Sequence, residues 1–275
     1  MGTISTHLHA STKEFVDGIH DSLCKMAGGL RAEELYLKPI TIKDVIDDMD
    51  AFGIEKSVLL PLDMRTTGDG FVPNDHIADL VKQYPERLIG FCCVDPHMGD
   101  AAIKELERSV QVLGLRGLGE MDGTKQDFIP PDPKYYPLFD RCQELDIPVV
   151  FHTGNSPGYP IDQANPTYID RLAYNFPKLR ICLAHMGWPW AEVAAAIAWN
   201  KPNVYLDINA LRLKYLPATV VMMMNSVIQD KVLFAHDYPV FPTAKMMKEF
   251  DEMPFKPEVR KKMRETNPKR FLGLS

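Results

Sequence analysis

Several features that would assign the chain to a large class of proteins are missing from its sequence. No apolar stretch among the 275 residues approaches the roughly 18 residues that a membrane-spanning helix needs. No basic run occurs, and the net charge of −6 with an isoelectric point of 5.8 argues against a nucleic-acid binder. The start of the chain lacks the basic and then apolar pattern of a signal peptide. We therefore expect a cytoplasmic protein that binds neither membranes nor nucleic acids.

Cysteine is scarce, and its spacing excludes two further classes. The chain has five cysteines, an odd number, scattered along the sequence as Cys24, Cys92, Cys93, Cys142 and Cys182. This pattern indicates reduced thiols rather than a disulfide framework. No CxxC pair occurs, so we do not expect a zinc site with sulfur ligands.

What the sequence does contain is a regular alternation of short apolar runs with segments of helical period. Eight such runs predict strands, at residues 3–5, 56–62, 87–94, 115–121, 147–154, 179–187, 203–209 and 231–239. Eight strand–helix units in 275 residues match the usual length of an α/β fold of the (β/α)8 TIM-barrel type. A doubly wound open sheet is the alternative, but its glycine-rich phosphate loop after the first strand is absent. We expect one domain over residues 1–275.

The segments between the runs predict helices. Thr41 and Asp44 have the spacing of a capping box, with Asp in place of Glu, and precede an apolar stripe that ends at Gly53. Further helices are predicted near residues 74–84, 100–113, 133–145, 166–176, 189–200, 211–229 and 257–272. The longest segment without a periodic pattern, residues 9–40, follows the first strand and is interpreted as a candidate lid.

Ionisable residues collect where the predicted strands end. They are His7, His9, Glu120, His152, His185 and Asp237. Because the carboxyl ends of barrel strands meet at one mouth, we expect these side chains to lie close together. His7 and His9 are two residues apart and point the same way on a strand. Imidazole with carboxylate suits zinc, manganese or iron, so the pattern favours a metal that activates water.

Each of these signals has a plainer interpretation when taken alone. An isolated HxH pair is a weak motif, and a single strand-end histidine is more often a hydrogen-bonded core residue. The conjunction of four histidines and an acid at strand ends favours the metal site. Glu120 is left open between a metal partner and a salt-bridge residue, whereas His236 and Asp207 are interpreted as structural.

The order of the motifs H-x-H, H-T-G, A-H-M-G and H-D-Y-P resembles that of the amidohydrolase superfamily. The resemblance is greatest to the amidohydrolase-related branch that includes aminocarboxymuconate-semialdehyde decarboxylase. It extends over nearly the whole chain, through R-G-L-G-E at 116–120, the run at 177–190, P-N-V-Y-L-D at 202–207 and the closing N-P-K-R-F-L-G-L. The resemblance implies a TIM barrel of the metal-dependent hydrolase type.

The resemblance also implies roles for residues at matching positions. His7, His9, His152 and Asp237 are then metal ligands, with Asp237 also the general base. His185 polarises the substrate or joins the metal site. The chain departs from the family pattern I-D-x-H-x-H by lacking the Asp. No lysine ends strand four, so a carboxylated-lysine bridge is not expected. We therefore expect one divalent metal, zinc first with manganese or iron as alternatives, and Glu120 as a second-metal ligand or a hydrogen-bond partner.

Three functions fit this pattern. Our main prediction is hydrolysis of a lactone, amide or similar carbonyl bond of a small molecule by a metal-activated water. The alternative is non-oxidative decarboxylation of an aromatic or unsaturated acid, and the third is a non-catalytic binding barrel.

Three residues beyond the strand ends are candidates for substrate binding. Arg65 and Arg212 follow strands two and seven, where each could reach the mouth of the barrel. Surface solvation is the plainer interpretation of both arginines. Trp188 follows strand six and would cover the substrate or pack its loop. We further expect a homo-oligomer.

Overall fold

Eight parallel strands form the wall at the centre of the structure, a computed structural model that describes residues 2–30, 37–239 and 241–274. The strands are β1 (Thr3–Leu8), β2 (Ile54–Leu59), β3 (Leu88–Gly90), β4 (Leu118–Met121), β5 (Val149–Phe151), β6 (Ile181–Leu183), β7 (Val204–Asp207) and β8 (Val232–Leu233). Each lies inside or overlaps one of the eight runs predicted from the sequence. Seven of the eight observed strands are shorter than predicted, because several predicted ends continue into the loops that carry the site, whereas β1 is longer than the predicted residues 3–5.

The order and closure of the strands identify the fold. β1, β2 and β3 pair in sequence, and β4 to β8 pair in sequence in a second group. A parallel bridge between Cys92 and Leu118 joins the two groups. The ring closes where the Thr6 amide donates to the Phe234 carbonyl at 3.0 Å. The predicted α/β fold, a (β/α)8 TIM barrel, is confirmed.

Helices surround this ring. They are α1 (Lys13–Gly18), α2 (His20–Leu30), α3 (Ile42–Ala51), α4 (Asn74–Gln83), α5 (Asp100–Gln111), α6 (Tyr136–Glu144), α7 (Thr167–Asn175), α8 (Ala191–Asn200), α9 (Ala218–Met224), α10 (Thr243–Glu252), α11 (Pro257–Lys261) and α12 (Asn267–Leu272). Alternate strand residues, such as Val149 and Phe151, pack in the apolar cluster shared with the helices. The intervening Val150 belongs to a second cluster of strand residues with Phe271 of α12, as the two-residue period of a strand requires.

The predicted capping box at the start of α3 is present. The Thr41 amide donates to Asp44 Oδ2 at 2.7 Å, and the Asp44 amide donates to Thr41 Oγ1 at 3.2 Å. These bonds pair amide groups that the first helical turn leaves without partners. The bonds that the Thr41 amide and hydroxyl donate to the Asp44 carboxylate lower its pKa, since they favour its charged form.

Removing the cap should weaken the fold without touching the barrel mouth. We expect Thr41→Ala to lower the free energy of unfolding by about 0.5–2 kcal/mol, because the Asp44 amide loses its side-chain acceptor. Urea denaturation measures the change. Thr41→Ser keeps the hydroxyl and serves as the control, with stability near that of the parent. Equal stability of Thr41→Ala and the parent would show that the cap contributes nothing.

Four regions differ from the sequence prediction, and one of them is α10, where no helix was predicted. The segment 9–40, expected to be irregular, contains α1 and α2, although residues 31–36 of it lie outside the described range. An antiparallel hairpin, Asp63–Met64 with Gly70–Phe71, follows β2. The helix predicted at 211–229 is reduced to α9, because Pro217 is extended and lacks the amide that would continue a helix.

The helices within the described ranges are short. The longest, α5, has 12 residues, and none there combines the length and apolar character of a membrane span. The single-domain organisation, the cytoplasmic location and the homo-oligomeric state stay predictions.

Candidate active site

A cavity of about 610 Å³ opens at the carboxyl ends of the strands. Its volume falls within the range of about 300–1,000 Å³ that is usual for small-molecule pockets. Five of the six strand-end residues singled out in the sequence line it, namely His9, Glu120, His152, His185 and Asp237. The sixth, His7, has no exposed surface and contacts His9 from inside the barrel.

His7, His9 and Asp237 form one potential metal-binding group. One ligand atom from each lies within 4.8 Å of the others, and the Nε2 atoms of His7 and His9 are 3.3 Å apart. β1 carries His7 and ends directly before His9, while Asp237 is held beside them by its amide, which donates to the His7 carbonyl at 3.2 Å. Among the described residues, none donates a hydrogen bond to the buried Asp237 Oδ1. A buried, unpaired carboxylate oxygen next to two imidazoles fits a bound cation.

Glu120 lies between two pairs of histidines. Its Oε2 is 3.2 Å from His9 Nε2 and 3.8 Å from His7 Nε2. Its Oε1 is 3.0 Å from His152 Nδ1 and 3.2 Å from His185 Nε2. Burial alone would raise the pKa of Glu120, but the charges of His7 and His152 and the hydrogen bonds of the imidazoles hold it well below its usual range. Glu120 is therefore an ionised acceptor at the centre of the cluster.

His152 and His185 occupy the far side of Glu120. His185 Nε2 lies 3.1 Å from His152 Nδ1, and with His7 and Glu120 it forms a second group of possible ligands within 4.8 Å. Among the described residues, His152 Nε2 is buried without a hydrogen-bond partner. His152 does not share either close group, so its assignment as a metal ligand stays a prediction.

Two residues at the end of β7 orient the histidines, and the sequence interpretation had treated one of them as only structural. Asp207 Oδ2 is 3.3 Å from His7 Nδ1, and Asp207 Oδ1 accepts from the His185 amide at 2.9 Å. Asn209 Oδ1 is 2.6 Å from His185 Nδ1. Burial lowers the pKa of His7, but the nearby Glu120 and Asp207 carboxylates outweigh it and raise that pKa to about 9. The sequence D-I-N at 207–209 could have identified Asp207 and Asn209, because it has the same two-residue spacing as His7 and His9.

A buried lysine also lines the cavity and was missed because it lies in a loop. Lys125 follows β4 and is 4% exposed, with its Nζ 3.2 Å from Asp122 Oδ2. Burial opposes the charge of the ammonium, but the Asp122 and Glu120 carboxylates raise its pKa above the usual value. The cavity therefore has a fixed positive charge on its β4 side.

The structure separates the three predicted substrate-binding residues. Trp188 and Arg212 line the cavity, and Arg212 forms an ion pair with Glu249. The expected position of Arg65 is corrected, since it lies on the hairpin and does not line the cavity. Its guanidinium is 2.7 Å from Asp63 Oδ2, and this ion pair holds it away from the mouth.

Comparisons with known proteins place these features in context. A family model described as Amidohydrolase matches residues 39–274, which leaves His7 and His9 before the matched stretch. The chain is 24% identical over 244 residues to 2-amino-3-carboxymuconate-6-semialdehyde decarboxylase of Dictyostelium discoideum, covering 73% of this chain and 65% of that protein. It is 25% identical over 213 residues to gamma-resorcylate decarboxylase of Polaromonas sp., covering 60% and 64%. A 2-keto-4-carboxy-3-hexenedioate hydratase of Sphingobium sp. is 28% identical over 220 residues, covering 70% and 60%. The chain thus spans somewhat less than two thirds of the length of these relatives.

Solved structures share the fold over almost the full chain. An uncharacterized TIM-barrel protein from Bordetella bronchiseptica superposes with a TM-score of 0.83 at 25% identity, covering 99% of both chains. A dihydroxybenzoic acid decarboxylase from Polaromonas sp., with bound manganese and the inhibitor 2-nitroresorcinol, gives a TM-score of 0.73 at 21% identity, covering 99% and 97%.

Proposed function

The chain belongs to the amidohydrolase family, and from this premise we propose that it is a metal-dependent, non-oxidative decarboxylase of an aromatic or unsaturated carboxylic acid. The observation that carries the proposal is the group of His7, His9 and Asp237 at a small-molecule cavity, with one carboxylate oxygen unpaired. The curated relatives named above are decarboxylases and a hydratase, which favour the alternative drawn from the sequence over hydrolysis.

His7, His9 and Asp237 would hold a divalent metal, with Glu120 and His152 as the additional candidates. When bound there, such a metal would supply Lewis-acid chemistry for a substrate carboxylate. The sequence alone favours zinc. The manganese bound in a structural relative makes Mn²⁺ the ion we now propose.

Residues of the chain supply the proton that replaces the departing carboxylate. Decarboxylation breaks the bond between the carboxyl carbon and the substrate carbon, and its electron pair stays on the substrate carbon while carbon dioxide leaves. That carbon must then accept a proton. Asp237 lines the cavity, and we assign its carboxylate to hold and deliver that proton. We assign His185, oriented by Asn209, to hydrogen-bond the substrate.

Arg212 and Arg65 provide a matched comparison for substrate binding. Both are paired with a carboxylate, but only Arg212 lines the cavity. We expect Arg212→Gln to raise KM about tenfold, because a charge-assisted contact to an acidic substrate is lost. Arg65→Gln should leave KM unchanged. Steady-state kinetics on both variants measure the difference, and an equal effect of the two substitutions would refute the assignment of Arg212.

A substrate panel tests the reaction class. Mn²⁺-loaded protein is incubated with dihydroxybenzoates and with unsaturated dicarboxylic acids, and separately with lactones and amides. We expect carbon dioxide release from at least one acid and no turnover of the lactones or amides. Hydrolysis of a lactone or amide without carbon dioxide release from any acid would contradict the proposal and restore the hydrolase prediction.

A further inference from the structure

Two polar side chains on the β4–β5 side of the cavity have hydrogen-bonding capacity that the protein does not use. They are Lys125, in the loop after β4, and Ser156, in the loop after β5. Both line the cavity, and they are 4% and 1% exposed. Neither belongs to the two groups of possible metal ligands. A buried hydroxyl without a partner is unfavourable, so Ser156 calls for a partner that the cavity can admit, and the Lys125 ammonium lies in the same lining.

The Lys125 ammonium carries three donor hydrogens, and within the described part of the chain it forms an ion pair with one carboxylate, while Glu120 and Asp237 act on it from farther away. The paired carboxylate is Asp122, whose Oδ2 lies 3.2 Å from Lys125 Nζ. The other oxygen, Asp122 Oδ1, is already engaged by the backbone amides of Thr124 at 2.9 Å and Lys125 at 3.1 Å. Donor capacity of Lys125 therefore remains for a ligand in the cavity.

Ser156 presents a hydroxyl with no partner among the described residues. Its position is fixed, since its carbonyl accepts from the Tyr159 amide at 3.1 Å. The Tyr159 hydroxyl in turn donates to Asp69 Oδ2 and accepts from the Ser22 hydroxyl, each at 2.9 Å. The Tyr159 ring also lies 5.8 Å from Lys125 Nζ. The two donors are thus held on neighbouring loops before any ligand arrives, which lowers the cost of binding.

We infer that Lys125 and Ser156 form a subsite for a second carboxylate of the substrate. An ammonium and a hydroxyl supply two donors, one of them charged, for the two oxygens of one carboxylate. The inference rests on the proposed function, because the first carboxylate is the one that leaves beside His7, His9 and Asp237. The preferred substrate is then a dicarboxylic acid with one acid group at each side of the cavity.

Two ligands that differ at a single group test the subsite. Isophthalate carries two carboxylates, and 3-carbamoylbenzoate replaces one of them by an uncharged amide of similar shape. Calorimetric titration into the Mn²⁺-loaded protein should show isophthalate binding about tenfold more tightly or better. In Lys125→Gln the ratio of the affinity for isophthalate to that for 3-carbamoylbenzoate should fall to about one. In Ser156→Ala this ratio should fall several-fold. Lys134→Gln, an exposed lysine paired with Asp132 that does not line the cavity, should keep the full preference.

The outcomes separate this inference from the proposed function. Equal affinity of the parent protein for the two ligands overturns the subsite, as does a preference that survives Lys125→Gln. If Lys125→Gln does not fold, the ligand pair on the parent and on Ser156→Ala decides. Carbon dioxide release together with equal affinities contradicts the subsite alone. A retained preference for isophthalate without decarboxylation of any acid supports the subsite and contradicts the proposed reaction.

Discussion

Asp237→Asn is expected to lower kcat by about 10²–10⁴-fold, the usual contribution of a general acid or base. The substitution removes the charge and the titratable oxygen while keeping the shape of the side chain. It should not disturb the backbone, since asparagine tolerates the positive φ of 54° that Asp237 adopts. Stopped assays of carbon dioxide release, with circular dichroism to verify folding, measure the effect.

Asp48→Asn is the matched control for this prediction. Asp48 accepts a hydrogen bond from Thr243 Oγ1 at 2.6 Å and does not line the cavity. We expect this variant to keep the parental rate. If Asp237→Asn also keeps it, Asp237 neither transfers the proton nor holds the metal that the reaction needs.

His7→Ala is expected to remove both bound metal and turnover. His7 is the residue common to the two groups of possible ligands, and its other nitrogen is oriented by Asp207. Loss of residues that merely orient ligands weakens metal binding about 10–100-fold, so loss of His7 itself should exceed that range. Manganese content after dialysis, measured by mass spectrometry beside activity, tests the prediction. Exhaustive chelation of the parent should likewise abolish turnover, and added Mn²⁺ should restore it.

Two further variants serve as controls for this experiment, because His7→Ala could lose metal simply by failing to fold. His7→Gln retains a polar side chain at the fully buried position, and it should bind metal as poorly as His7→Ala. His20→Ala alters an exposed histidine of α2 and should keep metal and activity. Parental metal content in either His7 variant would show that His7 is not a ligand.

The barrel and the convergence of its site residues were predictable because both follow from local periodicity. Two-residue alternation in β1 places His7 and His9 together, and the rule that strand ends share one mouth adds Glu120, His185 and Asp237. The structure brings these side chains into contact as expected. The capping box at Thr41 was readable for the same reason, since its bonds span only three residues.

Features that depend on loop conformation were not predictable. Lys125 enters the cavity because the loop after β4 turns back on itself, with Asp122 Oδ1 accepting two backbone amides. Arg65 was expected at the mouth from its place after β2, but the hairpin carries it to Asp63. The choice between hydrolysis and decarboxylation was also beyond the sequence, because both reactions use the same imidazoles and carboxylates.

The fate of solvent atoms in the product tests the central claim most directly. The Mn²⁺-loaded protein is given its acid substrate in deuterated water enriched in ¹⁸O, and the organic product is examined by mass spectrometry and NMR. A decarboxylase should place one deuterium on the carbon that carried the carboxylate, without ¹⁸O in the product, and only when the metal and Asp237 are present. An ¹⁸O atom in the product, with all substrate carbons retained, would contradict decarboxylation.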